Sequence, residues 1–305
     1  MTMVEARDLT RRFGAVTAVN RLNLTVARGE VFGLVGPDGA GKTTTLRMFC
    51  GLLEPSSGEA FVGGRSVQSE AKAIKDRIGY MAQKFGLYTD LTVEENLKFY
   101  ADLFGLRPAA HKRLMAELFA QMRMEPFRNR AAGKLSGGMK QKLALMCVLL
   151  HRPEILFLDE PTNGVDPVSR RDFWLILTQL VQQGMTVLLT TSYLDEAERC
   201  DRVALMDRGE LICVDSPWTL RRSLRERCLE VRSLDLRATR DQLRVHPAVL
   251  SADLAGCSLH VLVSGEVSLE ELGRIAPEAQ FREILPSIED IFIATIRGRQ
   301  IHATP

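Results

Sequence analysis

At 305 residues, with 46% hydrophobic and 26% charged residues, the chain has a globular composition and the length for one large domain and a smaller one. A formal net charge of +2 without a long basic run argues against a protein built to hold nucleic acid. The longest apolar run, Leu143 to Leu150, falls far short of the roughly 18 residues that cross a bilayer, and no charged-then-apolar leader opens the sequence, so the expected compartment is the cytosol.

Residues 3–35 alternate apolar and polar positions in short runs such as Leu22-Asn23-Leu24-Thr25-Val26. They close on Val31 to Val35, which predicts strands, the last fully buried. That strand feeds Gly36-Pro37-Asp38-Gly39-Ala40-Gly41-Lys42-Thr43, a match to G-x-x-x-x-G-K-[ST] that opens a helix from Lys42 to near Gly51. Glycines here let backbone N–H groups close around phosphates, and a helix N-terminus favours negative charge. Lys42 is then placed for the β- and γ-phosphates and the Thr43 hydroxyl for Mg2+.

Ile78 to Met81 predicts a short strand just ahead of Gln83. From Leu91 to about Met124 the periodicity is helical, starting at Thr92-Val93-Glu94-Glu95 and breaking between Gly105 and Pro108. Leu135-Ser136-Gly137-Gly138-Met139-Lys140-Gln141 leads into a helix from Met139 to Leu150. Ile155 to Leu158 predicts a buried strand ending on the acids Asp159 and Glu160. A helix from about Pro167 to Gln182 and a strand from Thr186 to Thr190 follow. Strands alternating with helices indicate a parallel α/β core. Beyond about Leu220, short strands (Leu229 to Val231, Leu259 to Val263) and short helices (Leu269 to Ile275, Ile288 to Ile296) predict a small α+β appendage. Six cysteines, none in a C-x-x-C pair, read as buried or incidental thiols.

Five segments in one order, Gly36 to Thr43, Gln83, Leu135 to Gln141, Ile155 to Glu160 and Gly164-Val165-Asp166, resemble the motif series of the ATP-binding subunit of an ABC transporter, over about residues 3–220. The resemblance implies an α/β fold: a P-loop ABC ATPase core of parallel sheet, antiparallel β subdomain and helical subdomain over 1–222, with the helical insert at about 84–150. Residues 223–305 would form a small C-terminal α+β domain of unknown role. The resemblance also implies that ATP is held by Gly36, Asp38, Gly39, Ala40, Gly41, Lys42, Thr43 and Thr44, with Phe13 stacked on adenine. Asp38 departs from the asparagine frequent in the family, and a carboxylate there would be repelled by polyphosphate unless it points away. Mg2+ falls to Thr43, Asp159 and Gln83. Glu160 polarises the attacking water, and Gln83 reaches both metal and water. Ser136, Gly137, Gly138 and Asp166 are implied to complete the ATP site of an opposite subunit.

One departure bears on catalysis. After the strand Thr186 to Thr190 the family usually places a histidine that touches the γ-phosphate, and this chain has Ser192 there. Serine is shorter and cannot carry charge. Losing a hydrogen bond to a charged group costs about 1.5–3 kcal/mol, which slows a reaction about ten- to hundredfold. Gly86 to Leu97, Tyr193 to Glu198 and Ile288-Glu289-Asp290-Ile291-Phe292 are similar to strings in ABC-2-type drug and antibiotic exporters. The expectation is an ATP- and Mg2+-dependent motor at the cytoplasmic face of the membrane, partnered by a second ATP-binding subunit (homodimer or heterodimer) and by separate integral membrane export subunits. An importer ATPase with a regulatory C-terminal domain is the near alternative. A non-transport ABC ATPase is the other, and would normally carry two ATP domains or a long coiled coil.

Overall fold

The computed structural model of the chain describes residues 1–265 and 267–302. Glu266 and the last three positions of the expected 223–305 domain lie outside the described residues. Contacts divide the chain into two compact units, Met1–Tyr193 with Cys200–Val214, and Leu194–Arg199 with Asp215–Pro305.

The first unit contains two sheets. Strands β1 (Thr2–Phe13), β2 (Val16–Ala27), β4 (Ser57–Val62) and β5 (Arg65–Ser66) form an antiparallel sheet in the order β2-β1-β4-β5. Its opening strands are two 12-residue strands rather than several short runs. Register shifts bend β1 against β2, and Asp8 and Arg21 take positive φ near them, so the alternation is interrupted while pairing continues. The second sheet joins β3 (Val31–Val35), β6 (Ile78–Met81), β7 (Ile155–Asp159), β8 (Thr186–Thr191), β9 (Arg202–Asp207) and β10 (Glu210–Asp215) in the order β10-β9-β3-β8-β7-β6. The pairs β3/β8, β3/β9, β6/β7 and β7/β8 are parallel. All five residues of β3 and of β7 are buried, which is why β3, and β7 up to its closing Asp159, read as apolar runs.

Helix α1 (Lys42–Phe49) packs on β4, β7 and β8, while α2 (Ala71–Lys75) precedes β6. The insert consists of α3 (Val93–Leu103), α4 (Pro108–Met122) and α5 (Gly137–Leu149). Helix α3 starts where its capping box lies: Glu95 N donates to Thr92 Oγ1 at 3.2 Å and Thr92 N to Glu95 Oε2 at 2.8 Å. Gly105, at φ +68°, turns the chain before Pro108 opens α4. Helix α5 leans on β6 and α3, and α6 (Pro167–Gln182) on α5 and β8.

The second unit holds α7 (Leu194–Ala197), α8 (Pro217–Ser223) and a four-stranded antiparallel sheet, β12-β13-β11-β14. Its strands are β11 (Arg227–Arg232), β12 (Val249–Ala255), β13 (Ser258–Val263) and β14 (Gln280–Ile284), completed by helices α9 (Leu236–Leu243), α10 (Leu269–Ile275) and α11 (Ile288–His302). Leu229, Val231, Leu259, Val261 and Val263 fill one face with Leu243 of α9 and Leu272 of α10. The strands β12 and β14 are the sheet's edges and carry part-exposed polar residues, so their apolar pattern is weak.

Candidate functional site

Strand β3 ends in a loop in which contact demands two of the glycines, Gly36 and Gly41. A Cβ on Gly36 would meet the Met206 carbonyl oxygen at 2.1 Å, and one on Gly41, at φ +97°, the Ala18 carbonyl oxygen at 2.4 Å. Gly41 also caps α1 with no side-chain acceptor for its first N–H groups, which leaves an anion-favouring helix end. Lys42, only 4% exposed, lies back along the loop: its Nζ donates to the Gly36 and Pro37 carbonyls at 2.7 and 3.0 Å. The same Nζ is 3.5 Å from Glu160 Oε1.

The acids arrive from β7. Asp159 is buried, and its Oδ1 accepts from the Thr43 and Thr190 hydroxyls, each at 2.8 Å. Glu160 sits at φ +48°, an uncommon region for a residue with a side chain. Its N–H donates to Thr190 Oγ1 at 2.9 Å. Its Oε2 accepts from Gln83 Nε2 at 2.8 Å and from Asn163 Nδ2 at 3.0 Å. Thr190 and Asn163 were not among the residues marked by motif. The parallel register that aligns Asp159 with Thr190 places the first, and a three-residue turn after Glu160 places the second.

A cavity of about 660 Å3 opens over this loop. Asp38, Gly39, Ala40, Gly41, Lys42, Thr43 and Thr44 line it with Phe13, Ala18, Gln83, Glu160, Asn163 and Ser192. Gly36 and Asp159 support it from beneath, through the Lys42 and Thr43 bonds given above. Asp38 is an exposed member of the lining. Phe13 is half-exposed, and the Arg11 guanidinium lies 4.6 Å over its ring.

Ser136, Gly137, Gly138 and Asp166 do not line this cavity and gather instead where α5 and α6 begin. Ser136 caps α5, accepting from Met139 N at 3.4 Å. Asp166 caps α6, accepting from Ser169 N at 2.9 Å, a bond that lowers its carboxyl pKa from the ordinary value. Gly138 has no room for a side chain, because a Cβ would lie 2.3 Å from Ser169 Cβ. Lys142 of α5 pairs with Asp172 of α6 at 3.3 Å.

A buried central strand emptying into a glycine loop, with an Asp-Glu pair delivered by a parallel strand two places away, beyond β8, defines a P-loop nucleotide-handling protein. The family model "ABC transporter" matches residues 19–163. The probable multidrug ABC transporter ATP-binding protein YbhF of Escherichia coli (strain K12) is 47% identical over 72% of this chain, and the match spans 38% of that longer protein. The Nod factor export ATP-binding protein I of Burkholderia orbicola (strain AU 1054) is 35% identical over 98% of both chains. Among solved structures, a dimeric ATP-binding cassette in a post-hydrolysis state with ADP and Pi bound is 25% identical, with a TM-score of 0.64 over 70% of this chain and 98% of that one. The chain belongs to the ATP-binding proteins of ABC transporters, a family of nucleotide-binding ATPases. Among the described residues, no helix is long and apolar enough to cross a membrane.

Proposed function

We propose that the chain is the ATP-hydrolysing motor subunit of an ABC-2-type export complex. It works as half of a nucleotide-sandwich dimer at the cytoplasmic face of a membrane and drives a separate integral membrane subunit. The observation that carries this reading is the grip on Glu160: two amides, from Gln83 and Asn163, hold one carboxylate oxygen, while Lys42 stands 3.5 Å from the other. A carboxylate fixed at the mouth of a phosphate loop is suited to orienting a water for attack on a terminal phosphate.

The polyphosphate lies along Gly39 to Thr43, with adenine against Phe13. Lys42 then exchanges its carbonyl partners for phosphate oxygens, so the loop holds its shape before the substrate arrives. The Thr43 hydroxyl and the Asp159 carboxylate, 2.8 Å apart, supply the hard oxygens that suit Mg2+, and Gln83 lines the same cavity as Thr43. When bound, Mg2+ offsets the charge that develops on the phosphates. Ser136, Gly137, Gly138 and Asp166 act on the nucleotide of the paired subunit. Their position outside the chain's own cavity supports that division, as does the dimeric state of the solved relative. The multidrug and Nod factor export names of the relatives support the direction of transport. With Ser192 in the γ-phosphate position, the site on this chain is the slower of the two in a mixed pair.

ATP turnover of the purified chain, followed across protein concentration beside Glu160→Gln, tests the reading. Turnover per molecule that rises with concentration and falls at least about a hundredfold in the variant, with ATP binding kept, supports a working pair. Tight binding with negligible turnover at every concentration supports a mixed pair in which a partner supplies the faster site. A rate that Glu160→Gln leaves unchanged overturns the assignment of hydrolysis to this cavity.

A further inference from the structure

The second unit contains a group of side chains that the nucleotide chemistry does not use. Strands β11 and β13 pair with Cys228 opposite Leu262 and Glu230 opposite His260, so Cys228 and His260 are diagonal neighbours on one face of the sheet. The other face carries Leu229, Val231, Leu259 and Val261, which belong to the apolar core. Asp290, in the first turn of α11, comes down on the Cys228 and His260 face. Its Oδ2 lies 3.0 Å from His260 Nδ1 and 3.8 Å from Cys228 Sγ, and all three ligand atoms fall within 4.8 Å of one another.

Asp290 also forms a capping box: Ser287 N and Ser287 Oγ each donate to Oδ2 at 2.7 Å, and Asp290 N donates to Ser287 Oγ at 3.1 Å. A carboxylate that only caps a helix can stay in water. This one is 6% exposed, and it is turned onto a thiol that is 1% exposed. We propose that Cys228, His260 and Asp290 form a binding site for a Zn2+-class divalent ion.

Donor set, spacing and charge agree on that class. Thiolate, imidazole and carboxylate are zinc donors, and a thiolate with a single carboxylate suits neither Mg2+ nor Ca2+. Around a tetrahedral zinc, with bonds of about 2.0–2.3 Å, ligand atoms stand about 3.3–3.5 Å apart; the two Asp290 separations, 3.0 and 3.8 Å, are close to this, while Cys228 Sγ and the His260 nitrogen, within 4.8 Å of each other, would draw together on binding. A thiolate and a carboxylate together offset the dication's charge, which allows the site to be buried. Ser287 N and Oγ hold that same Oδ2, orienting it as outer partners of metal ligands do. His260, whose side chain is 23% exposed, opens the fourth position to water. An ion here ties the first turn of α11 to two strands of the sheet.

Zinc titration of the full chain without nucleotide, read by competition with a chromogenic chelator, tests the proposal. Substitution by Co2+ adds a second readout, since a thiolate-to-cobalt charge-transfer band reports the Cys228 ligand. One equivalent should bind, and the cobalt band should appear. Cys228→Ser and His260→Ala should each weaken binding by more than about a hundredfold, while Cys257→Ser, at an exposed thiol, leaves it unchanged. Circular dichroism of each variant checks folding, and the half-buried His260 gives a reading even where the buried Cys228 position does not tolerate change. No binding at one equivalent, or binding that survives both ligand substitutions, overturns the proposal and leaves Asp290 as a helix cap.

Discussion

The sharpest question at the scale of single residues is what Ser192 does in a cavity that also holds Lys42, Glu160 and the amides of Gln83 and Asn163. A serine hydroxyl reaches less far than an imidazole and contributes no charge. Ser192→His is therefore expected to raise turnover about tenfold to a hundredfold, the reverse of losing a hydrogen bond to a charged group. Steady-state ATPase rates of the two proteins at saturating ATP check this, and an equal or lower rate retires the slow-site reading. Gly36 to Thr43 and the Asp159-Glu160 pair stand out in the sequence because a fixed local spacing alone marks them. Thr190 does not: it contacts Asp159 across a parallel ladder, and a strand residue gives no sign of which neighbour it will face. Asn163 was equally silent, because an asparagine after a strand is as ordinary in a turn as beside a carboxylate.

Among the elements, α5 and α6 show how a glycine can be set by packing rather than by backbone angle. Gly138→Ala would press a Cβ against the Ser169 Cβ, a rigid atom that cannot swing aside. The cost is at the upper end of overpacking, about 3 kcal/mol, against the roughly 1 kcal/mol that alanine brings to a helix. Chemical denaturation should show the loss, and Ser169→Gly in the same chain should restore part of it. Helix α3 supplies a pH test. Glu94 takes a two-pronged bond from Arg128 at 2.7 and 3.0 Å and pairs with Lys98 at 3.0 Å. The Arg128 bond, helped by Lys98, brings its carboxyl down to about 2 from the ordinary 4.5. A pKa lower in the folded chain than in the unfolded one means that the pair stabilises above the ordinary carboxylate value and loses this as pH falls towards 2. Arg128 is partly solvated, so the contribution is about 1 kcal/mol. Glu94→Gln should be less stable by that amount at neutral pH, and the difference should narrow between about pH 5 and about pH 3. Urea titrations at the two pH values read it directly, and a difference independent of pH would contradict it.

For the molecule as a whole, the parallel core was legible because β3, β7 and β8 are buried on both faces: β3 and Ile155 to Leu158 are apolar runs, and β8 sets Val187 to Leu189 between threonines. The start of α3 was legible from its capping box, and the bounds of α6 from Pro167 to Gln182. Strands β12 and β14 were not, since an edge strand with solvent on one side needs little apolar character. The short loop from Glu160 to Asp166 has a consequence of its own. At one end is the carboxylate beside Lys42, and Asn163 holds that carboxylate. At the other end is the cap of α6, and Gly164, between them, sets its carbonyl 3.7 Å from where a Gly137 Cβ would stand. These seven residues, six Cα steps, cannot span more than about 22 Å, and Glu160, Asn163 and Asp166 among them are held by the bonds given above, so a shift at one end would be passed to the other. In a pair of such chains, each loop would join its own chain's chemistry to the edge that closes on the neighbour's nucleotide. The two sites would then keep time with each other, and the order in which they fire would be a property of the pair.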